Sequence, residues 1–69
     1  MIKGVVKQYD PERGFGFLRF NGPSGVEEVF FHRTALEMAN LHTVKAGEVV
    51  HFEIAHGEHG PQAVNLTTK

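Results

Sequence analysis

The chain has no cysteine, no tryptophan, one tyrosine and three prolines among its 69 residues. Without cysteine there is neither a disulfide framework nor a thiolate metal site to brace so short a chain. A domain of this length buries only about 60% of the surface its unfolded chain exposes, so core residues are scarce. No apolar run approaches the ~20 residues of a membrane-spanning helix, and the N-terminus shows no signal-peptide core. The expectation is one domain over residues 1–69, with no membrane partner and a cytoplasmic location. Bulk basicity is missing too. A formal charge of −1 at pH 7 removes the simplest case for nucleic-acid binding and leaves only local placement. Hydrophobic content of 41% with 22% charged residues nevertheless argues for a folded globule rather than a disordered tail.

Charge placement is uneven. Lys3, Lys7, Arg13, Arg19 and Arg33 put five of the seven basic residues in the first 33 positions, where the net charge is +1. The remainder carries −2. The N-terminal half can therefore present a basic patch.

Short extended runs alternate with glycine, proline and asparagine punctuation. Ile2 to Tyr9 reads as a first strand, stopped at Asp10-Pro11-Glu12, where the proline disfavours helix for the residue before it. Gly14 to Phe20 reads as a second, ending at the turn-rich Asn21-Gly22-Pro23-Ser24-Gly25, and Glu28 to His32 as a third. Thr34 to Ala39 has helical propensity sufficient for one short turn. Asn40 to Gly47 reads as irregular. Glu48 to Ala55 alternates, with Val50, Phe52 and Ile54 on one face, and Gln62 to Thr67 places Val64 and Leu66 on a shared face. Five short strands without a long helix or a repeat form the pattern of a small barrel.

Within Gly14-Phe15-Gly16-Phe17-Leu18-Arg19-Phe20, strand alternation separates Phe15, Phe17 and Arg19 from Gly16, Leu18 and Phe20. A closed barrel has one inner face. Leu18 and Phe20 match the aliphatic residues of the other strands, which leaves Phe15 and Phe17 facing outward. In the third strand Phe30 and His32 are likewise opposed to Val29 and Phe31. The expected result is a surface cluster of Phe15, Phe17, Phe30 and His32 edged by Lys7, Arg13 and Arg19. The opposite assignment makes these rings ordinary core. Exposed rings beside cations suit an unpaired nucleic-acid strand, because every base has a π-face and stacking contributes ~1–3 kcal/mol per base.

Lys7, then Arg13-Gly14-Phe15-Gly16-Phe17-Leu18, then Val29-Phe30-Phe31-His32, and finally Gly60-Pro61-Gln62-Ala63-Val64-Asn65-Leu66 resemble the bacterial cold shock domain. Gly14 to Leu18 looks like its first ribonucleoprotein motif and Val29 to His32 like its second. The resemblance covers the whole chain, including Ala46-Gly47-Glu48-Val49 ahead of the fourth strand. It implies an all-β, five-stranded antiparallel OB-fold barrel that binds single-stranded RNA or DNA through its second and third strands. The implied activity is that of an RNA chaperone, with effects on transcription and translation. By matched position Lys7, Arg13, Phe15, Phe17, Phe30 and His32 inherit the binding role, and Tyr9 does so in place of a phenylalanine.

Three departures alter the implied surface. Gln8 stands where the family has tryptophan, Arg33 where an aromatic follows the second motif's histidine, and Leu41 where the later loop carries another aromatic. Arg33 can compensate, since a guanidinium plane stacks on a base and pairs with phosphate. Gln8 offers only hydrogen bonds. The turn from Asn21 to Glu28 is also longer than in short bacterial members.

Other chemistries find little support. Of the five histidines, His51, His56 and His59 cluster late in the sequence, but without cysteine or a metal-ligand spacing they read as a solvated turn. The single serine, Ser24, has no base placed to activate it. Glu27-Glu28 reads as turn-flanking solvated charge. No catalytic residue, metal, cofactor or small-molecule substrate is expected. The alternative function is a protein-interaction module, because an outward aromatic patch on a near-neutral domain also suits a protein partner. A monomer is expected, and the loop before the fourth strand is long enough to permit a strand-exchanged dimer.

Overall fold

Alternation governs the first strand of the computed structural model, which describes residues 1–58 and 60–68. In Ile2–Asp10 (β1), Gly4 and Val6 are buried while Lys3, Val5 and Lys7 face solvent. Phe15–Gly22 (β2) and Gly25–His32 (β3) form a hairpin, Arg33–Met38 (α1) is a short helix, and Val49–Gly57 (β4) pairs with Gly60–Thr67 (β5). The strands close in the order β1-β2-β3-β5-β4. Each pair is antiparallel except the closing contact of β3 with β5, which is parallel at Phe30 and Gln62. Closure inside one chain covers part of the sheet edge that would otherwise template aggregation.

The barrel interior holds Val6, Leu18, Val29, Phe31, Val50, Phe52, Ala63 and Leu66. Ala35 and Leu36 of α1 and Val44 of the following loop complete this core. Phe31 and Phe52 are its two largest fully buried side chains. Phe20, expected inside, lies partly buried edge-to-face on Phe52 at 5.6 Å between centroids. The α1 helix begins where His32 caps it, its ring Nδ1 accepting from the Thr34 backbone N–H at 3.2 Å.

Two bulges shift the alternation. On β1 an extra residue, Lys7, lies between the pairs Val6–Leu18 and Gln8–Phe17. Gln8 therefore shares the outward row with Phe17, and Tyr9 falls in the row of buried Gly16. On β5 the pairs Glu53–Val64 and His51–Thr67 enclose another extra residue, with Asn65 at φ 54°. This corrects the expected Val64 and Leu66 face. Ala63 and Leu66 are the buried pair, and Val64 is only half-buried. The expected long turn from Asn21 to Glu28 is also corrected: β2 and β3 continue to a Gly22–Gly25 pair, leaving two residues, Pro23 and Ser24, as the connection. Asn21, Val26 and Glu27 pair within the hairpin, so the additional residues lengthen its strands.

Gly16 is the position where a side chain would conflict most with the core. A Cβ there would stand 2.8 Å from the Phe31 ring and closer still to the Gln8 carbonyl oxygen. Neither can retreat, since Gly16 pairs with Tyr9 and Phe31 fills the interior. Gly16→Ala should lower stability by about 1–3 kcal/mol, the usual cost of overpacking. At about 4–8 °C per kcal/mol for so small a domain, thermal unfolding followed by circular dichroism reads this directly. An unchanged melting temperature would contradict the packing described.

Candidate nucleic-acid interface

The register of β2 on β3 assembles the outward face. Phe15 pairs with His32, Phe17 with Phe30 and Arg19 with Glu28, while Gly16–Phe31 and Leu18–Val29 form the inward rows. Phe15 and Phe30 lie 5.7 Å apart between centroids, tilted by 32°. Phe17 meets Phe30 edge-to-face at 5.9 Å and Phe15 at 6.4 Å. These are favourable aromatic separations. All three rings are half-buried, whereas His32 is exposed. The rings brace one another and keep surface available to a flat ligand.

Cations stand at both ends of this platform. Arg13 lies in the turn that leads into Phe15, where the Asp10 carboxylate accepts from the backbone N–H groups of Glu12 and Arg13. The Arg13 guanidinium is 3.7 Å from the same carboxylate. Arg33 donates its backbone N–H to the Gly14 carbonyl at 2.7 Å. Its guanidinium covers Gly14, whose φ of +77° and close approach together disfavour any side chain. At the other end Lys7 reaches across from β1 to Glu28, with Nζ 2.9 Å from Oε2, and Arg19 Nη2 lies 3.5 Å from that oxygen. The hydrogen bond and charge of Lys7, and after them the hydrogen bond and charge of Arg19, hold the Glu28 carboxyl below its ordinary range. It is a carboxylate at neutral pH.

Of the expected site residues, Phe15, Phe17, Phe30 and His32 come together as one cluster, with Gln8 beside Phe17 and Lys7 and Arg19 at its edge. Arg13 and Arg33 flank the Phe15 end. Tyr9 is set apart. The β1 bulge turns its half-buried ring onto Phe31, stacked at 5.6 Å and 19°. Leu41 packs against the core and donates its N–H to the Leu36 carbonyl. Glu28 is the residue that sequence reasoning missed, since it binds two of the expected phosphate-neutralising cations rather than standing as turn-flanking charge. Continuing the Phe17–Phe30 pairing by two residues would have found it. Among the described residues no group of three or more histidine, cysteine or acidic side chains is placed to hold a metal ion. His59 lies outside the described residues.

An aromatic platform bounded by cations on a closed five-stranded barrel is the surface that nucleic-acid-binding barrels offer to bases and phosphates. The model of the family described as the 'Cold-shock' DNA-binding domain matches residues 2–69, and the chain belongs to the cold shock domain family. It is 41% identical over 66 residues to "Cold shock protein CspB" of Bacillus caldolyticus, covering 96% of each chain. It is 42% identical over 67 residues to "Cold shock-like protein CspD" of Bacillus cereus, covering 97% of each. Against the "Cold shock-like protein" of Thermotoga maritima it is 40% identical over 65 residues, covering 94% of each.

The position of Gln8, exposed and in register with Phe17, makes it the natural place to add a ring. Gln8→Trp should extend the platform and raise affinity for an oligo-pyrimidine by about five- to a hundredfold, the equivalent of ~1–3 kcal/mol for one stacked base. Its fluorescence, absent from the tryptophan-free parent, should quench as ligand is added. Unchanged affinity with fluorescence indifferent to the ligand would place the bound strand elsewhere.

Proposed function

We propose that this chain binds single-stranded RNA or DNA by stacking bases on Phe15, Phe17 and Phe30, and that it acts as an RNA chaperone or regulator of transcription and translation in the cytoplasm. The observation that carries this proposal is the outward, mutually braced ring cluster on β2 and β3. Bases paired inside a duplex keep their faces stacked on each other and cannot lie on these rings. His32 adds a stacking surface and a hydrogen-bonding ring nitrogen, while Arg13 and Arg33 neutralise phosphates at one end and Lys7 and Arg19 at the other. Gln8 supplies hydrogen bonds at the β1 edge. Tyr9 supports the face from beneath by fixing Phe31. The chain acts as a monomer, in keeping with a barrel that closes within itself.

A labelled oligo-pyrimidine should bind in clear preference to a duplex of the same length. Phe17→Ala should weaken that binding by about five- to a hundredfold, the equivalent of ~1–3 kcal/mol, without unfolding the barrel. Equal affinity for duplex and separated strands would overturn the proposal. Salt supplies an independent readout. Neutralising about two to four phosphates at about −0.7 per phosphate gives a log–log slope near −1.5 to −3. A slope near zero, with binding retained by a protein ligand, would favour a protein-interaction module instead.

A further inference from the structure

Glu28 lies on the outward face, opposite Arg19 on β2 and two residues along β3 from Phe30. Lys7 comes to it from β1, two strands away, through the bulge that lengthens β1 at that position. Three strands thus converge on one carboxylate, and Oε2 stands within 3.5 Å of both cationic nitrogens. A phosphodiester offers the same chemistry as this carboxylate: an anionic oxygen pair that accepts charge-assisted hydrogen bonds from an ammonium and a guanidinium. The three side chains remain 37–48% exposed, so a phosphate can reach the position that Glu28 fills.

We propose that Lys7 and Arg19 form a phosphodiester-binding site beside the aromatic platform, which Glu28 occupies in the free protein as an internal competitor. This rests on the single-strand binding proposed above and adds a limit to it. Together the three groups carry a charge of +1, and without the carboxylate they carry +2. A bound strand displaces Glu28 toward solvent and takes over both cations. The Phe17 and Phe30 stacking surfaces then keep the strand in place. Glu28 so tunes affinity downward and makes productive binding depend on stacking as well as on charge. Exposed ion pairs contribute little individually, which keeps the exchange reversible.

Glu28→Gln keeps the size of the side chain and removes its charge. Measured on a short oligothymidine at low salt, Glu28→Gln should bind about three- to tenfold more tightly than the parent. Its log–log salt slope should also be steeper, because the parent's displaced carboxylate takes up a counterion on binding and the glutamine does not. In a Lys7→Gln, Arg19→Gln background the same change at position 28 should give no gain. That outcome separates a freed site from a general reduction in negative charge. A loss of affinity in Glu28→Gln, or a gain that persists without both cations, would overturn the competitor role. A parent that binds the oligonucleotide while Glu28→Gln leaves affinity and slope unchanged also overturns it, and spares the stacking function. If neither protein binds the oligonucleotide, both proposals fall. Circular dichroism melting of each variant establishes that the folded barrel is being compared.

Discussion

The pairing of Phe17 with Phe30, flanked by Leu18 with Val29, is the constraint from which the rest follows. Side chains of a strand alternate between faces, so one register decides at once which residues fill the barrel and which remain outside. A slip by one residue would set Phe17 beside Val29 or Phe31 and mix residues of the surface row with residues of the core. The interior aliphatic rows of the other strands oppose that slip, since Val6, Val50, Ala63 and Leu66 need partners of their own kind. The outward ring cluster is therefore held by the core behind it. Phe15, Phe17 and Phe30 do not need a ligand to stay in place, because each ring touches the other two.

Placing three phenylalanines on the surface of so small a domain diverts apolar area that could have filled the core. Closure of the sheet offsets part of that loss, as do the tight packing of Phe31 and Phe52 and the cover supplied by Ala35, Leu36 and Val44. Gly16 belongs to the same arrangement. Its missing side chain lets the Phe31 ring come up against β2, and the inner ring in turn receives Tyr9. The charged groups follow the same geometry. Because Arg19 continues the Phe15–Phe17 row and Glu28 continues from Phe30, the register that builds the platform also brings acid and base together at its end.

The ring-bearing face was largely legible in the sequence, because β2 and β3 run without interruption from Phe15 to Arg19 and from Glu28 to His32. Simple alternation then gives the correct side for every ring. It fails where a strand takes an extra residue. Nothing in the composition around Lys7 marks a bulge, yet that one residue turns Tyr9 inward onto Phe31 and brings Gln8 beside Phe17. On β5 the left-handed backbone at Asn65 moves the buried position from Val64 to Ala63, and its side-chain amide donates to Glu53 at 2.7 Å. Asparagine tolerates that backbone conformation, but asparagine alone does not announce it. The Lys7–Glu28–Arg19 bridge was hidden for another reason: it joins three strands, and a linear count of charges shows only that acids and bases are both present.

Proton NMR of the phenylalanine rings during titration with a short oligothymidine tests the central claim most directly. The stacking account predicts upfield shifts and intermolecular contacts to thymine for the Phe15, Phe17 and Phe30 rings, with the buried Phe31 and Phe52 rings little changed. Binding that left those three rings unperturbed, with contacts concentrated on another face of the barrel, would contradict it.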